Sequence, residues 1–215
     1  MSFKQTAGWA GLLAVVFFVL SLVLAGSVPA PEDSLNEIGE YLADDVGIHK
    51  LSVLFAVLAA LPFIAFLAGF LVPFFKSDRE NGEAYSIVIF GGALLLGGAA
   101  TIANTALGTL LLRGGDGLDG PTVRGLWDLQ QVAYGSAGIA ITIFAGGIAM
   151  AVFRRKVMED WVGWVATLSA ATGALGLITL TNEENIALVG YAFFIVFLLF
   201  VLAVSIDMVR STSDA

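Results

Sequence analysis

The sequence predicts an all-α protein: a polytopic membrane helix bundle with six transmembrane helices and a short amphipathic helix in the first outer loop, folded as a single domain over residues 1–215. The first observation is a set of six apolar runs without Asp, Glu, Lys, Arg or His, at 7–28, 51–75, 86–112, 132–153, 161–180 and 186–206. A helix that rises about 1.5 Å per residue crosses a hydrocarbon core of roughly 30 Å in about 20 residues, and every run reaches that length.

Composition supports the same fold class. Hydrophobic residues make up 58% of the chain and charged residues 13%, whereas soluble domains contain about 45–50% and 25%. Charges collect in the connections because an unpaired charge at the bilayer centre costs about 3 kcal/mol or more. The longest connection, residues 29–50, is too short to fold as a domain of its own.

The distribution of basic residues predicts how the chain is inserted. Seven Lys or Arg residues lie on the side that carries both termini and three lie on the other, and cytoplasmic loops carry the excess of basic residues. The seven are Lys4, Lys76, Arg79, Arg154, Arg155, Lys156 and Arg210, and the three are Lys50, Arg113 and Arg124. We therefore expect a multi-pass protein of the cell membrane with both termini in the cytoplasm and a strongly acidic outer face.

The two long outer connections contain helix signals of their own. In the first, Ser34 and Glu37 have the spacing of a capping box, and the apolar residues that follow recur at helical spacing up to Val46. This pattern predicts an amphipathic helix at the outer interface, with Ile38 and Leu42 making most of its contacts. In the second connection, Pro121 follows a glycine-rich opening at 114–117 and predicts a short surface helix that leads into span 4.

Small and polar residues form a stripe along spans 3 and 5. Span 3 has Thr101, Asn104 and Thr105 on one helix face, and span 5 has Ser169 and Thr172 in a similar setting, each among glycines. Such residues let membrane helices approach closely and hydrogen-bond one another. We expect a polar seam between spans 3 and 5 with Asn104 facing the bundle interior, and a polar pathway along the same face is the alternative.

Two pairs of residues suggest a possible outer-face site. Asp45 and His49 stand four residues apart, a spacing that lets a carboxylate and an imidazole share a metal or relay a proton on a helix. Gly47 lies between them and span 2 starts at Leu51, so the segment is equally well explained by a helix boundary. Arg113 and Arg124 would complete an enzymatic site on this face.

The missing residue types exclude several kinds of chemistry. The chain has no cysteine and one histidine, which rules out disulfides, thiolate metal sites and bis-histidine haem ligation. We expect no cofactor. The spans also lack the ionisable groups that proton relays and intramembrane hydrolysis require.

The order of elements resembles that of uncharacterised bacterial six-helix integral membrane proteins, which are grouped as domains of unknown function. The resemblance rests on the acidic outer segment 34–45 and on the basic turn at 154–156 that leads to the tryptophan pair Trp161 and Trp164. It implies the six-helix fold and no particular activity.

Together these patterns favour a non-enzymatic accessory, scaffold or binding protein of the membrane. Its expected partners are membrane lipids and either a protein partner or further copies of the same chain, and not nucleic acid. The alternatives are a passive channel or transporter for a small neutral solute or a cation, and an enzyme with the outer-face site.

Overall fold

The structure, a computed structural model, describes residues 2–30, 32–113, 117–177 and 186–210, with side chains described from residue 192 onward in the last range. Within these ranges the chain forms eight helices and no strand. The helices are α1 (Phe3–Ala25), α2 (Leu35–Ala43), α3 (Val46–Phe70), α4 (Val72–Asn81), α5 (Tyr85–Arg113), α6 (Gly120–Arg155), α7 (Asp160–Gly176) and α8 (Ile186–Arg210).

The all-α fold class is confirmed, and five helical stretches in the described ranges are long and apolar enough to cross a membrane. These stretches are Phe3–Ala25, Val46–Asn81, Tyr85–Arg113, Gly120–Arg155 and Ala192–Arg210. Helix α7 has 17 residues, and the end of predicted span 5, residues 178–180, lies outside the described residues. The structure therefore supports a membrane protein with five candidate spans.

Two predicted element boundaries are wrong. Span 2 is followed by a separate helix: α3 ends at Phe70, and α4 begins at Val72 with Pro73 in its first turn. The predicted surface helix before span 4 is the first part of α6, which runs for 36 residues without interruption. No proline follows Pro121 within this segment, so nothing breaks the hydrogen-bond ladder between the surface and the apolar part.

Packing joins α1 to α3, α5 to α6, α6 to α7, and α8 to both α1 and α7. Helix α6 is the most buried of the candidate spans. The predicted packing of span 3 on span 5 is wrong, because α5 and α7 each pack on α6 instead, α5 through Gly92 and α7 through Gly173. A Cβ atom added to Gly92 of α5 would lie 2.5 Å from the backbone nitrogen of Phe144, and one added to Gly173 of α7 would lie 2.9 Å from the carbonyl oxygen of Gly138.

Two hydrophobic clusters divide the interior. The larger one lies toward the ends of the spans near α4 and contains stacked and edge-on phenylalanine rings, among them Phe66, Phe70, Phe144, Phe197 and Phe200. The smaller one lies at the opposite ends, where Ile38 and Leu42 of α2 pack with leucines of α5 and with Trp127 of α6.

Candidate functional site

A cavity of about 110 Å³ lies among α1, α3, α5, α6 and α8. Its walls are mostly aromatic or small: Phe18, Phe63, Phe194 and Phe197, together with Ala14, Ala56, Ala59, Ala60, Gly97, Ala100 and Ala137. The polar side chains among the lining residues are Asn104 and Tyr134. None of the described residues that line the cavity is Asp, Glu, Lys or Arg. The cavity is therefore apolar, with polar groups at one edge.

Part of the cavity wall is formed by exposed residues of α3 and α5, and we name this part of the wall the side opening. Ala60 of α3 and Gly97 of α5 both line it, and both are exposed. A Cβ atom added to Gly97 would meet no atom within 4 Å. Helix α3 packs chiefly on α1, and α5 packs chiefly on α6. The side opening lies between these two pairs of helices.

The residues of the predicted polar seam are distributed over different places. Asn104 lines the cavity, to which α7 contributes none of the lining residues, and its amide donates to the carbonyl of Ala100 in its own helix at 2.8 Å. Thr101 and Thr105 are exposed on α5. In α7, Ser169 is buried with no partner for its hydroxyl oxygen, and the Thr172 hydroxyl donates to the carbonyl of Leu168 at 3.0 Å.

The kind of contact expected for the polar seam, a hydroxyl between two closely packed helices, is found between α6 and α7. The Thr142 hydroxyl donates to the carbonyl of Gly138 at 2.8 Å and lies 3.2 Å from the carbonyl of Ala170 on the facing helix. Gly138 and Gly173 face each other where the two helices come closest. Close backbone approach with a bridging hydroxyl is the usual way in which membrane helices associate.

Three buried polar side chains form a second feature, which we name the outer polar cluster: His49, Trp127 and Gln130. Their exposed fractions are 8%, 0% and 3%. Among the residues that the structure describes, none is a hydrogen-bond partner of His49 Nδ1, Trp127 Nε1 or Gln130 Oε1. Sequence reasoning missed the last two, because Trp127 and Gln130 both lie just outside the predicted span, which begins at residue 132.

Tyr41 of α2 joins two members of the outer polar cluster. Its ring centroid lies 4.2 Å from that of His49 and 5.7 Å, edge-on, from that of Trp127. Its hydroxyl donates to the carbonyl of Ala25 at the end of α1, at 3.2 Å. Helix α2 therefore covers this end of the bundle, with Ile38 and Leu42 as its buried residues.

Local hydrogen bonds fix where α2 begins. Ser34 and Glu37 make both hydrogen bonds of the predicted capping box. The Ser34 hydroxyl donates to the Glu37 carboxylate at 2.7 Å and, with the Ser34 backbone, holds the pKa of this carboxyl below its ordinary value.

Side chains of α6 hold the first outer connection in place. Arg124 Nη1 donates to the carbonyl of Asp33 at 2.7 Å, and Arg124 Nε lies 3.2 Å from the Asp128 carboxylate. Gln131 Nε2 donates to the carbonyl of Pro29 at 3.3 Å. The Arg124 guanidinium is therefore bound to two acceptors, the carbonyl of Asp33 and the carboxylate of Asp128.

The four residues of the hypothetical outer-face site have different surroundings. Asp45 is exposed and precedes α3 with a φ of 42°. His49 is buried, and its backbone N–H donates to the carbonyl of Asp45 at 3.2 Å, whereas no hydrogen bond or ion pair joins the two side chains. Arg113 is exposed. Within the described ranges, no three His, Cys, Asp or Glu residues form a group that could hold a metal ion.

The candidate site thus consists of the central cavity, its side opening between α3 and α5, and the outer polar cluster beneath Tyr41. Apolar walls favour a hydrocarbon ligand, and the buried polar atoms favour a ligand that can form hydrogen bonds. Comparison with known proteins gave no match to a protein-family model, a curated protein or a solved structure.

Proposed function

We propose that this protein is a non-enzymatic integral membrane protein that binds the hydrocarbon part of a membrane lipid in its central cavity. The observation that carries the proposal is the side opening at Ala60 and Gly97, which connects an apolar cavity with the surface that faces lipid. A ligand can then enter from the bilayer without crossing a polar surface.

The size and walls of the cavity fit part of a chain. An apolar cavity of about 150 Å³ is known to bind a benzene molecule, so a cavity of about 110 Å³ accommodates a few carbon atoms. Wall atoms that face a void lose their dispersion contacts, and an inserted chain restores them. The aromatic rings of Phe63 and Phe194 supply large apolar contact surfaces for it.

The same walls argue against conduction of a cation. A dehydrated ion requires several oxygen ligands or a charged side chain to replace its hydration shell. The cavity offers the side chains of Asn104 and Tyr134 and no carboxylate. The acidic residues of α2, such as Glu37 and Glu40, line a separate open cleft on the surface.

We further propose that the segment containing α7 crosses the membrane as a sixth span. Both termini then lie in the cytoplasm of a cell membrane, and α2 lies as an amphipathic helix at the outer interface. The seven basic residues on the side of the termini and the three on the other side support this orientation.

Photolabelling in phosphatidylcholine liposomes tests the binding proposal. A phosphatidylcholine that carries a diazirine at the end of one acyl chain should form adducts with Phe63 and Phe194 in the cavity. Gly97→Leu should reduce these adducts severalfold, because the new side chain fills the opening. The matched control is Gly98→Leu, since Gly98 is also exposed with no atom within 4 Å of an added Cβ, but does not line the cavity.

The binding proposal would be contradicted if adducts formed only at surface residues such as Leu61 and Leu95. Their yields would then be equal in the wild-type protein, Gly97→Leu and Gly98→Leu. Both leucines are exposed, at 68% and 54%, and should be labelled in every case. They serve as an internal measure of how much probe surrounds the bundle.

Cysteine labelling tests the topology, because the chain has no native thiol. An impermeant maleimide applied to intact cells should label Glu40→Cys and Asn182→Cys but not Arg79→Cys or Glu159→Cys. Labelling of residues 159 and 182 from the same side would show that α7 does not cross the membrane. Labelling of residue 79 from outside would reverse the proposed orientation.

A further inference from the structure

The outer polar cluster lacks partners for three buried atoms. Indole Nε1 of Trp127 can only donate a hydrogen bond, the amide oxygen of Gln130 can only accept one, and His49 Nδ1 can do either according to its tautomer. All three lie in side chains that are more than nine-tenths buried. Because buried polar atoms are nearly always hydrogen-bonded, the cluster is built for a partner with hydrogen-bonding groups.

The cluster continues the face of the bundle that lines the cavity. Gln130 lies four residues before the cavity residue Tyr134 on the same face of α6, a rise of about 6 Å. His49 lies seven residues before the cavity residue Ala56 on α3, a rise of about 10 Å along the same face. None of the three cluster residues lines the cavity, but along both helices the cluster lies within about two turns of residues that do.

The charges around the cluster favour a neutral group. The cluster contains no Asp, Glu, Lys or Arg. Lys50 is exposed, and the Arg124 guanidinium is engaged by Asp128 and by the carbonyl of Asp33. A phosphate or carboxylate placed here would lose its hydration and could gain a cation only by protonation of His49, whereas a neutral group needs no counter-charge.

We propose that the outer polar cluster binds the hydroxyl group of a neutral lipid alcohol whose chain enters the central cavity. This inference rests on the proposed function and specifies the class of lipid. A hydroxyl group accepts a hydrogen bond from Trp127 and at the same time donates one to Gln130, so one atom meets both unpaired groups. Asn104 and Tyr134 form the polar edge between the cluster and the apolar walls.

The test compares three probes of equal chain length in phosphatidylcholine liposomes: hexadecanol, hexadecyl methyl ether and hexadecanoate, each with a diazirine at the chain end. The readout is the probe concentration that gives half-maximal adduct yield at Phe63 and Phe194. We expect hexadecanol to reach it at about a tenfold lower concentration than the ether, which accepts but cannot donate a hydrogen bond.

Gln130→Leu should abolish the preference for the alcohol over the ether while adducts in the cavity persist. Trp127→Phe is a second variant for the same expected loss of preference. It removes the indole N–H and keeps an aromatic ring. Gly97→Leu is the control that should reduce labelling by all three probes alike.

The outcomes separate the two proposals. Equal concentrations for alcohol and ether in the wild-type protein would show that the cluster does not recognise the hydroxyl group, and would overturn the inference while the binding proposal stands. A preference for hexadecanoate would overturn it in favour of an anionic head group. Absence of cavity adducts with every probe would overturn the binding proposal and this inference with it.

Discussion

Replacing Gly138 by alanine should lower the free energy of unfolding by about 1–3 kcal/mol, and replacing it by leucine should prevent α6 and α7 from packing. A Cβ atom added to Gly138 would lie 2.6 Å from the carbonyl oxygen of Gly173. Real Cβ atoms do not approach backbone oxygens so closely, and a backbone carbonyl cannot rotate away as a flexible side chain can. The two helices must therefore separate, which also breaks the contact of the Thr142 hydroxyl with Ala170.

Thermal unfolding in a mild detergent, followed by circular dichroism, measures this effect. Gly146→Ala is the matched control on the same helix, because a Cβ atom added there would meet nothing within 4 Å. A Gly→Ala change in an open helical position raises stability by about 0.4–1 kcal/mol. Equal unfolding midpoints for the two alanine variants would show that Gly138 is not a close-approach site.

Replacing Phe144 by alanine should cost about 3 kcal/mol, the lower end of the range for a buried phenylalanine. The Phe144 side chain is 0% exposed, and its ring centroid lies 5.9 Å from that of Phe197 and 6.2 Å from that of Phe200, both edge-on. Lipid tails are as apolar as the protein interior, so little transfer energy is lost when the ring is removed. The cost comes from the void that is left and from the lost aromatic contacts.

Phe90→Ala is the control for this prediction, since Phe90 lies on the surface of α5 and is 45% exposed. Its replacement should change the unfolding free energy by no more than about 0.5 kcal/mol. Both variants are compared by denaturant unfolding in the same detergent. Similar losses in the two variants would indicate that α5 is covered on its outer face and that the Phe144 cluster is not the main packing centre.

The positions of most helices could be predicted from the sequence. In hydrocarbon every backbone N–H and C=O must be hydrogen-bonded within its own segment, so a long apolar run has to be helical whatever its neighbours are. This is why runs 7–28 and 86–112 agree closely with α1 and α5. The capping box of Ser34 and Glu37 is equally local, because both of its hydrogen bonds lie within four residues of chain.

Continuity and breaks between helices were less predictable. The predicted surface helix and span 4 are one helix because no residue between Pro121 and Arg155 interrupts the ladder. The break between α3 and α4 at Leu71 lies in an apolar run and has only Pro73 as a local signal. The residues 114–116, which were expected to form a flexible glycine-rich opening, lie outside the described residues.

The sequence by itself determined an all-α membrane protein with long apolar helices, because the backbone of an apolar segment must satisfy its own hydrogen bonds. Only the tertiary structure decided which faces meet: Gly92 and Gly173 both pack on α6, so spans 3 and 5 are not neighbours. Small residues permit close approach to any smooth helix, and the pattern carries no information on the partner. The cavity and the cluster of His49, Trp127 and Gln130 were decided in the same way, because a void or an unpaired buried atom is created only when side chains distant in sequence are brought together.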